Sequence, residues 1–505
     1  MSDSISWPTV ADLPDPEATE HITYNPSFEE LREYSAHLET TTTFGSPSYV
    51  SEQRSRSADR TLNAIDDSFD DNDRALFEHG IEWVRNPDNN VLCVDRVVGC
   101  HEDVSATCRL FLPRKYSRIA LAWAKLLEPA PEDADPDFAT VQIPDATDDP
   151  YIRILPQEGL TTVLGSDYTG EAKKSFLRLF MHRAKQMGGL GLHAGSKRVM
   201  LDGADSKREV GQLFLGLSGT GKSTLTSHGL WLEDPEGAVI HQDDVCALLP
   251  SGTVAGSEGS GLYIKTLGLD ADEQPELYDA ATDGSAVLEN VAVDTDGDVH
   301  FDEPRYGRNA RAVIRRGCLD SSADRIDLED VDQIFFITRN PLMPIAAKLT
   351  DAQAAAAFML GESVKTSAGD PSRIGESLRV VGTNPFIVGS KGAEGNRFRD
   401  LIADLDVDCF VINTGVIGTE DQVDVGVEET VAVLEGIARG EIEWVDHEIL
   451  QVKVLSRVPG VDVGKFSISD RVEDFKEEHK TLHAERQAYL EAFEKLDDEI
   501  ISSVY

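Results

Sequence analysis

Gly216-Leu217-Ser218-Gly219-Thr220-Gly221-Lys222-Ser223-Thr224 has the form G-x-x-x-x-G-K-[ST], the pattern of a phosphate-binding loop. Backbone N–H groups can close around phosphate oxygens only where no Cβ intrudes and positive φ costs little, which is what the glycines provide. Lys222 is then expected to reach the β- and γ-phosphates, and the Ser223 hydroxyl to hold Mg²⁺. The flanks agree. Val210 to Leu215 is apolar enough for a buried strand, and Ser223-Thr224-Leu225-Thr226 can open a helix whose N-terminus faces an anion. A glycine-rich turn without a ligand is the plainer alternative, and strand before with helix after argues against it. The predicted fold class is α/β.

The chain has 505 residues, enough for two or three domains with ample cores. Its formal net charge is −44 while 40% of its residues are hydrophobic, too many for a disordered acidic chain. Such a field repels nucleic acid and anionic membrane, and it repels ATP too unless Lys and Arg are concentrated at the site. The acidity is read as adaptation to high salt, where ions screen self-repulsion. Cys93, Cys100, Cys108, Cys246, Cys318 and Cys409 form no C-x-x-C pair, so they are expected as reduced core residues rather than a disulfide or zinc framework. No basic or apolar leader and no run of membrane-spanning length is visible, which predicts a soluble, cytoplasmic protein.

Along the chain, residues 1 to about 25 read as a tail or surface strap, Asn25-Pro26-Ser27 as the cap of a helix from Phe28, and Asp66 to Asp73 as an exposed acidic stretch. Arg54, Arg56 and Arg60 fit an anion-binding loop and equally a solvated basic turn. A helix from Glu171 carries Lys173 and Lys174 in its first turn, where the helix dipole disfavours cations, a placement that hints at a task. A domain boundary is expected in the glycine-rich stretch that follows, giving units 1–188 and 189–505. Beyond the loop, Ala238 to Gln242 runs as a strand into Asp243-Asp244, and an acid there would complete the Mg²⁺ shell; spacing does not say which one. Arg305, Arg308, Arg311, Arg315 and Arg316 are a candidate cluster for a transferred phosphate. Gly361 to Gly375 reads as a lid-like segment, and the chain closes with a helix presenting Leu482, Tyr489, Phe493, Leu496 and Ile500 to the core.

Tyr168-Thr169-Gly170-Glu171-Ala172-Lys173-Lys174, the His193 segment, the phosphate loop, Asp243-Asp244, Tyr263-Ile264-Lys265-Thr266, Leu288-Glu289-Asn290-Val291, Asn309-Ala310-Arg311, Leu349-Thr350-Asp351 and Asn413-Thr414-Gly415 occur together in order. In this the chain resembles the ATP-dependent phosphoenolpyruvate carboxykinases. The resemblance implies an N-terminal α/β substrate domain, a C-terminal mononucleotide-binding domain, and conversion of oxaloacetate and ATP to phosphoenolpyruvate, CO₂ and ADP.

It further implies that Lys174, His193 and Asp244 hold Mn²⁺ (or a second Mg²⁺), and that Ser223 holds the Mg²⁺ travelling with ATP. Lys222 and Arg311 would steady the phosphoryl group, Tyr168, Lys174 and an N-terminal arginine would seat oxaloacetate, and Glu289, Arg311 and Thr430 would join Gly216 to Thr224 at the nucleotide. The partners so implied are these small molecules alone, with a monomeric chain. Three departures stand out. Ser223 replaces a threonine, Ser55-Arg56-Ser57-Ala58 replaces Gly-Arg-Ser-Pro so that Arg56 is the candidate substrate arginine, and Gln422 stands where an adenine-pocket arginine is expected. A protein kinase with a similar loop and a non-catalytic nucleotide sensor are the alternatives; neither needs the Lys174, His193 and Asp244 set.

Overall fold

The computed structural model describes residues 6–53, 60–202, 207–217, 219–364 and 377–505. It falls into two units, one of Met1–Arg183 with Ser257–Ser322 and one of Ala184–Gly256 with Ala323–Tyr505. The contiguous division at 188/189 is therefore corrected. Ser257–Ser322 groups with the first unit because Val287–Glu289 pairs in parallel with Pro47–Tyr49, a pairing no local pattern announces.

In the second unit the strand Lys207–Gly216 is exposed at its start and buried from Val210 onward. It lies inside an eight-stranded sheet ordered Gly237–Gln242, Ala194–Asp202, Lys207–Gly216, Gln333–Thr338, Asp408–Asn413, Ala346–Leu349, Lys453–Arg457 and Glu443–Asp446. Lys207–Gly216, Gln333–Thr338 and Asp408–Asn413 run parallel, so Gly216, Thr338 and Asn413 end at one edge, where parallel sheets present their ligand sites. Register alignment of Phe214, Phe335 and Phe410 stacks their rings at 5.0 and 5.4 Å, and Trp444 extends the row at 5.6 Å. Across one face, the helices Asp351–Leu360 and Lys391–Asp404 meet through Phe358 and Phe398, stacked at 4.6 Å. The alanine-rich helix starts where Thr350 and Gln353 form a capping box.

The first unit holds a sheet ordered Ile22–Tyr24, Val91–Val98, Ala106–Pro113, Phe138–Ile143, Leu160–Leu164, Tyr151–Leu155 and Thr61–Asn63, with Glu128–Pro129 added beside Val91–Val98. A second sheet runs Gly261–Lys265, Arg311–Arg315, Val287–Glu289, Pro47–Tyr49 and Thr40–Thr41. Mixed parallel and antiparallel sheets with helices bear out the α/β class.

Several local expectations change. Residues 22–24 are a sheet strand rather than strap. The acidic stretch ends in a cap, since Asp70 accepts from Asn72 and Asp73 and starts the helix Asp71–Arg85, which buries Phe77, Ile81 and Val84. The helix expected from Glu171 begins at Thr169, so Lys173 and Lys174 lie in its second turn, past the strongest part of the dipole. The final helix is two helices, Phe475–Glu491 and Asp498–Ser502. Cys100 and Cys318 are exposed, while the other cysteines are buried as expected. Arg56, Ser218 and residues 365–375 of the lid-like segment lie outside the described residues.

Candidate active site

In the second unit the loop leaves its strand at Gly216 and turns through Gly221, whose φ of +95° suits glycine, into the helix Lys222–Ser227. Neighbouring strand ends brace it. Thr414 Oγ1 donates to the Thr220 carbonyl at 2.7 Å, and Arg339 Nη1 reaches the Gly219 carbonyl at 3.4 Å while its Nε and Nη2 hold the Thr414 carbonyl. Asn413 fixes that turn by donating to the carbonyls of Asn340 and Met343.

The two carboxylates that spacing left undivided have separate partners. Asp243 faces the loop. Its carboxylate accepts from Ser223 Oγ at 3.3 Å and its carbonyl accepts from Lys222 Nζ. Asp244 faces His193, with Oδ1 3.1 Å from Nε2. His193 Nδ1 donates to the Thr383 carbonyl at 2.7 Å, which fixes the ring and leaves the lone pair of the neutral imidazole on Nε2.

A lone pair facing a carboxylate is favourable only with a proton or cation to share. The His193–Asp244 separation of 3.1 Å is that of a hydrogen-bonded pair, and an imidazole nitrogen beside a carboxylate is a donor set that would suit a divalent cation. Both residues thus suit Mn²⁺ or Mg²⁺. Among the described residues no group of three His, Cys, Asp or Glu side chains could hold a metal by itself.

In the first unit Lys174 Nζ lies 5.7 Å from the Tyr168 ring, and Arg311 lies 5.7 Å from the Tyr263 ring. Lys173 is buried and paired to Glu258 at 2.9 Å. Glu289, expected at the nucleotide, is a buried hub. Tyr263 donates to one oxygen at 2.6 Å, and Ser51, Thr169 and Arg118 donate to the other. Burial and the facing Glu289 carboxylate push the Tyr263 phenol well above its ordinary range. Arg118 also grips Asp167 at 2.8 Å, and Asp167 accepts from the backbone of Glu52 and Gln53, so the chain is anchored where it enters the segment of Arg56. Arg60, beyond that segment, reaches Asp149 at 3.3 Å.

The basic cluster does not act as one patch. Arg305 is bound to Glu303, Arg308 and Arg315 are exposed and Arg316 is buried, while Arg311 lies over Tyr263. Thr430 is buried with its hydroxyl donated back to the Gly426 carbonyl, and Gln422 is exposed. Sequence reasoning missed Arg118, Glu258, Arg339 and Thr383 as site residues. Arg339 had a signal, as the residue after a strand parallel to the loop strand; the other three had none.

This fold and loop define a phosphate-loop nucleotide-binding protein of mixed α/β type. A family model described as phosphoenolpyruvate carboxykinase, of the ATP-dependent type, matches residues 21–464. A phosphoenolpyruvate carboxykinase (ATP) of Aeropyrum pernix is 34% identical over 482 residues, 93% of this chain and 94% of that one. One of Mesorhizobium japonicum is 31% identical over 259 residues, 50% of this chain and 45% of that one, and one of Alkaliphilus oremlandii is 26% identical across 73% and 70%. The chain belongs to the ATP-dependent phosphoenolpyruvate carboxykinase family. Membership assigns it a carboxy-lyase activity in gluconeogenesis, with oxaloacetate and ATP as substrates and Mg²⁺ and Mn²⁺ as cofactors, and sets aside the kinase and sensor readings. Among the described residues no helix is long and apolar enough to cross a membrane.

Proposed function

We propose that these residues share the reaction among substrate, nucleotide and metal roles. Tyr168, Lys174 and Arg56 seat oxaloacetate, the loop from Gly216 to Thr224 binds the ATP phosphates, and His193 and Asp244, with Lys174, hold Mn²⁺. The observation that carries this is the pair of acids. Asp243 meets Ser223 while Asp244 meets His193, so adjacent residues serve two different cation positions. When bound, a divalent cation supplies Lewis acidity that favours negative charge on a substrate oxygen.

The chain's own residues do the rest. The Thr383 carbonyl keeps Nε2 of His193 available by accepting the hydrogen bond from Nδ1–H. Lys222 and Arg311 bring positive charge to a phosphoryl group whose transfer depends on position and charge rather than covalent help. Asp167 and Arg118 anchor the approach to Arg56, whose guanidinium can take a substrate carboxylate in a two-pronged grip. Glu289 supports this region from within as the acceptor for Ser51, Thr169, Tyr263 and Arg118, and a nucleotide contact by Glu289 or Thr430 rests on family resemblance alone. A monomeric cytoplasmic enzyme that takes no nucleic acid goes with the reading, and the net charge of −44 supports the last of these.

The test is formation of phosphoenolpyruvate from oxaloacetate with ATP, GTP or pyrophosphate as donor. ATP should win, and a preference for GTP would place the replacement of arginine by Gln422 at the centre of nucleotide choice. Arg56→Lys keeps charge but loses the fork, so its KM for oxaloacetate should rise about tenfold with the KM for ATP unchanged. A wild-type oxaloacetate KM would move the role to Arg54 or Arg60.

A further inference from the structure

Lys197 sits on Ala194–Asp202, the strand that starts one residue after His193, and is 1% exposed. Its Nζ donates to the carbonyls of Leu225 at 2.7 Å and His228 at 3.2 Å, at the far end of the helix that begins with Lys222. The ammonium also lies 4.8 Å from the Phe214 ring, the first in the aromatic row across the sheet. Strand and helix are close-packed here. A Cβ on Gly195 would come within 2.2 Å of Thr226 Oγ1.

A lysine with no solvent normally takes a carboxylate partner, yet among the described residues Lys197 forms no ion pair and its polar partners are carbonyls. Carbonyls in the last turn of a helix have no partner inside the helix, and a cation is favourable there. We propose that Lys197 is a positioning residue for the phosphate loop, tethering the end of the loop helix to the strand beside His193 and so holding Lys222 and Ser223 in register with Asp243 and Asp244. This rests on the assignment of the loop to the ATP phosphates.

The groups that face Lys197 are the Leu225 carbonyl and the His228 carbonyl and ring from the helix and its exit, and Phe214 from the loop strand. Gln212 and Ile240 are its cross-strand neighbours. Burial pulls Lys197 down to about 7; burial, with Lys197 adding to it, also lowers His228. The neutral amine still has N–H groups for both carbonyls but loses the charge that favours the helix end, so the tether weakens as pH rises through that value.

The experiment compares Lys197→Met, Lys197→Gln and Lys222→Ala with wild type, measuring KM for ATP and for oxaloacetate from pH 6 to 9 together with melting temperature. Loss of the tether should raise the KM for ATP about tenfold, the scale of one or two buried hydrogen bonds, with the oxaloacetate KM unchanged. The wild-type KM for ATP should climb through neutrality, and the Lys197→Met profile should lack that component, which cancels the titration of ATP itself.

Lys197→Gln keeps donors without charge, so it should restore part of the affinity and none of the pH dependence, and it carries the test if Lys197→Met does not fold. A lower melting temperature with an unchanged KM for ATP, or parallel pH profiles, would overturn the proposal; if neither variant folds, a flat wild-type profile does so. Lys222→Ala separates the two readings. Normal ATP affinity there would sink the loop assignment itself, whereas a defect there beside a normal Lys197→Met sinks only the tether.

Discussion

Thr414 Oγ1 donates to the carbonyl of Thr220 at 2.7 Å, joining the turn after one parallel strand to the middle of the phosphate loop. Its backbone N–H is held in turn by the Thr338 carbonyl at 3.0 Å, so three strand ends are tied in series. Thr414→Val keeps the shape and removes the donor. Loss of one such bond should raise the KM for ATP about fivefold with little change for oxaloacetate. Steady-state kinetics with each substrate varied checks this, and equal rises in both would mean a general loosening.

Lys222 and His193 should separate when mutated. Lys222→Ala removes charge from the transferring phosphoryl group, so phosphoenolpyruvate formation should fall about a hundredfold or more while release of CO₂ from oxaloacetate persists. His193→Ala should weaken Mn²⁺ binding and lower both activities in parallel. Titration of Mn²⁺ by electron paramagnetic resonance, alongside CO₂ and product assays, reads the two outcomes. Normal Mn²⁺ binding by His193→Ala would remove that residue from the cation site.

Glu362 is an acid switch for stability rather than for catalysis. Burial alone would raise its carboxyl, but Arg486 at 2.9 Å, Arg379 at 2.9 Å and the Asn340 amide at 2.6 Å outweigh that and hold it at about 2 against an ordinary 4.5. A depressed carboxyl stabilises the fold fully above pH 4.5 and loses that contribution as pH falls through about 2. Glu362→Gln leaves the buried Arg486 short of an anion, while the half-buried Arg379 keeps Glu485 at 3.6 Å, and it should cost about 3 kcal/mol at neutral pH. Denaturant melts at pH 7 and pH 3 should show a smaller gap between variant and wild type at the lower value.

The net charge of −44 makes the fold sensitive to ions. Screening shortens from about 10 Å at 0.1 M salt to about 3 Å at 1 M. Melting temperature and activity should therefore rise from millimolar to molar KCl. An unchanged melting temperature would reject adaptation to high salt.

Legibility followed the range of the interactions. The loop, its strand and the helix capped by Ser27 are readable because glycine, capping and apolar signals are local. The helix capped by Asp70 carried the same kind of signal and was passed over as acid-rich surface. What no window of sequence reveals is pairing at a distance. The parallel match of Pro47–Tyr49 with Val287–Glu289, the grip of Arg118 on Asp167, and the different partners of Asp243 and Asp244 depend on which segments the fold brings together.

That distant pairing also sets an order of manufacture. Pro47–Tyr49 emerges from the ribosome early, but its partner at Val287–Glu289 comes only after the whole phosphate loop has been synthesised. At about 5 to 20 residues per second the nascent strand waits on the order of ten seconds or more. During that interval Ser51 lacks Glu289 and Tyr49 lacks its sheet, although both are buried in the finished protein. The first unit, though encoded first, has to wait for Ser257–Ser322, which follows the phosphate loop in the chain, and chaperones that shelter edge strands would matter most for this part of the chain.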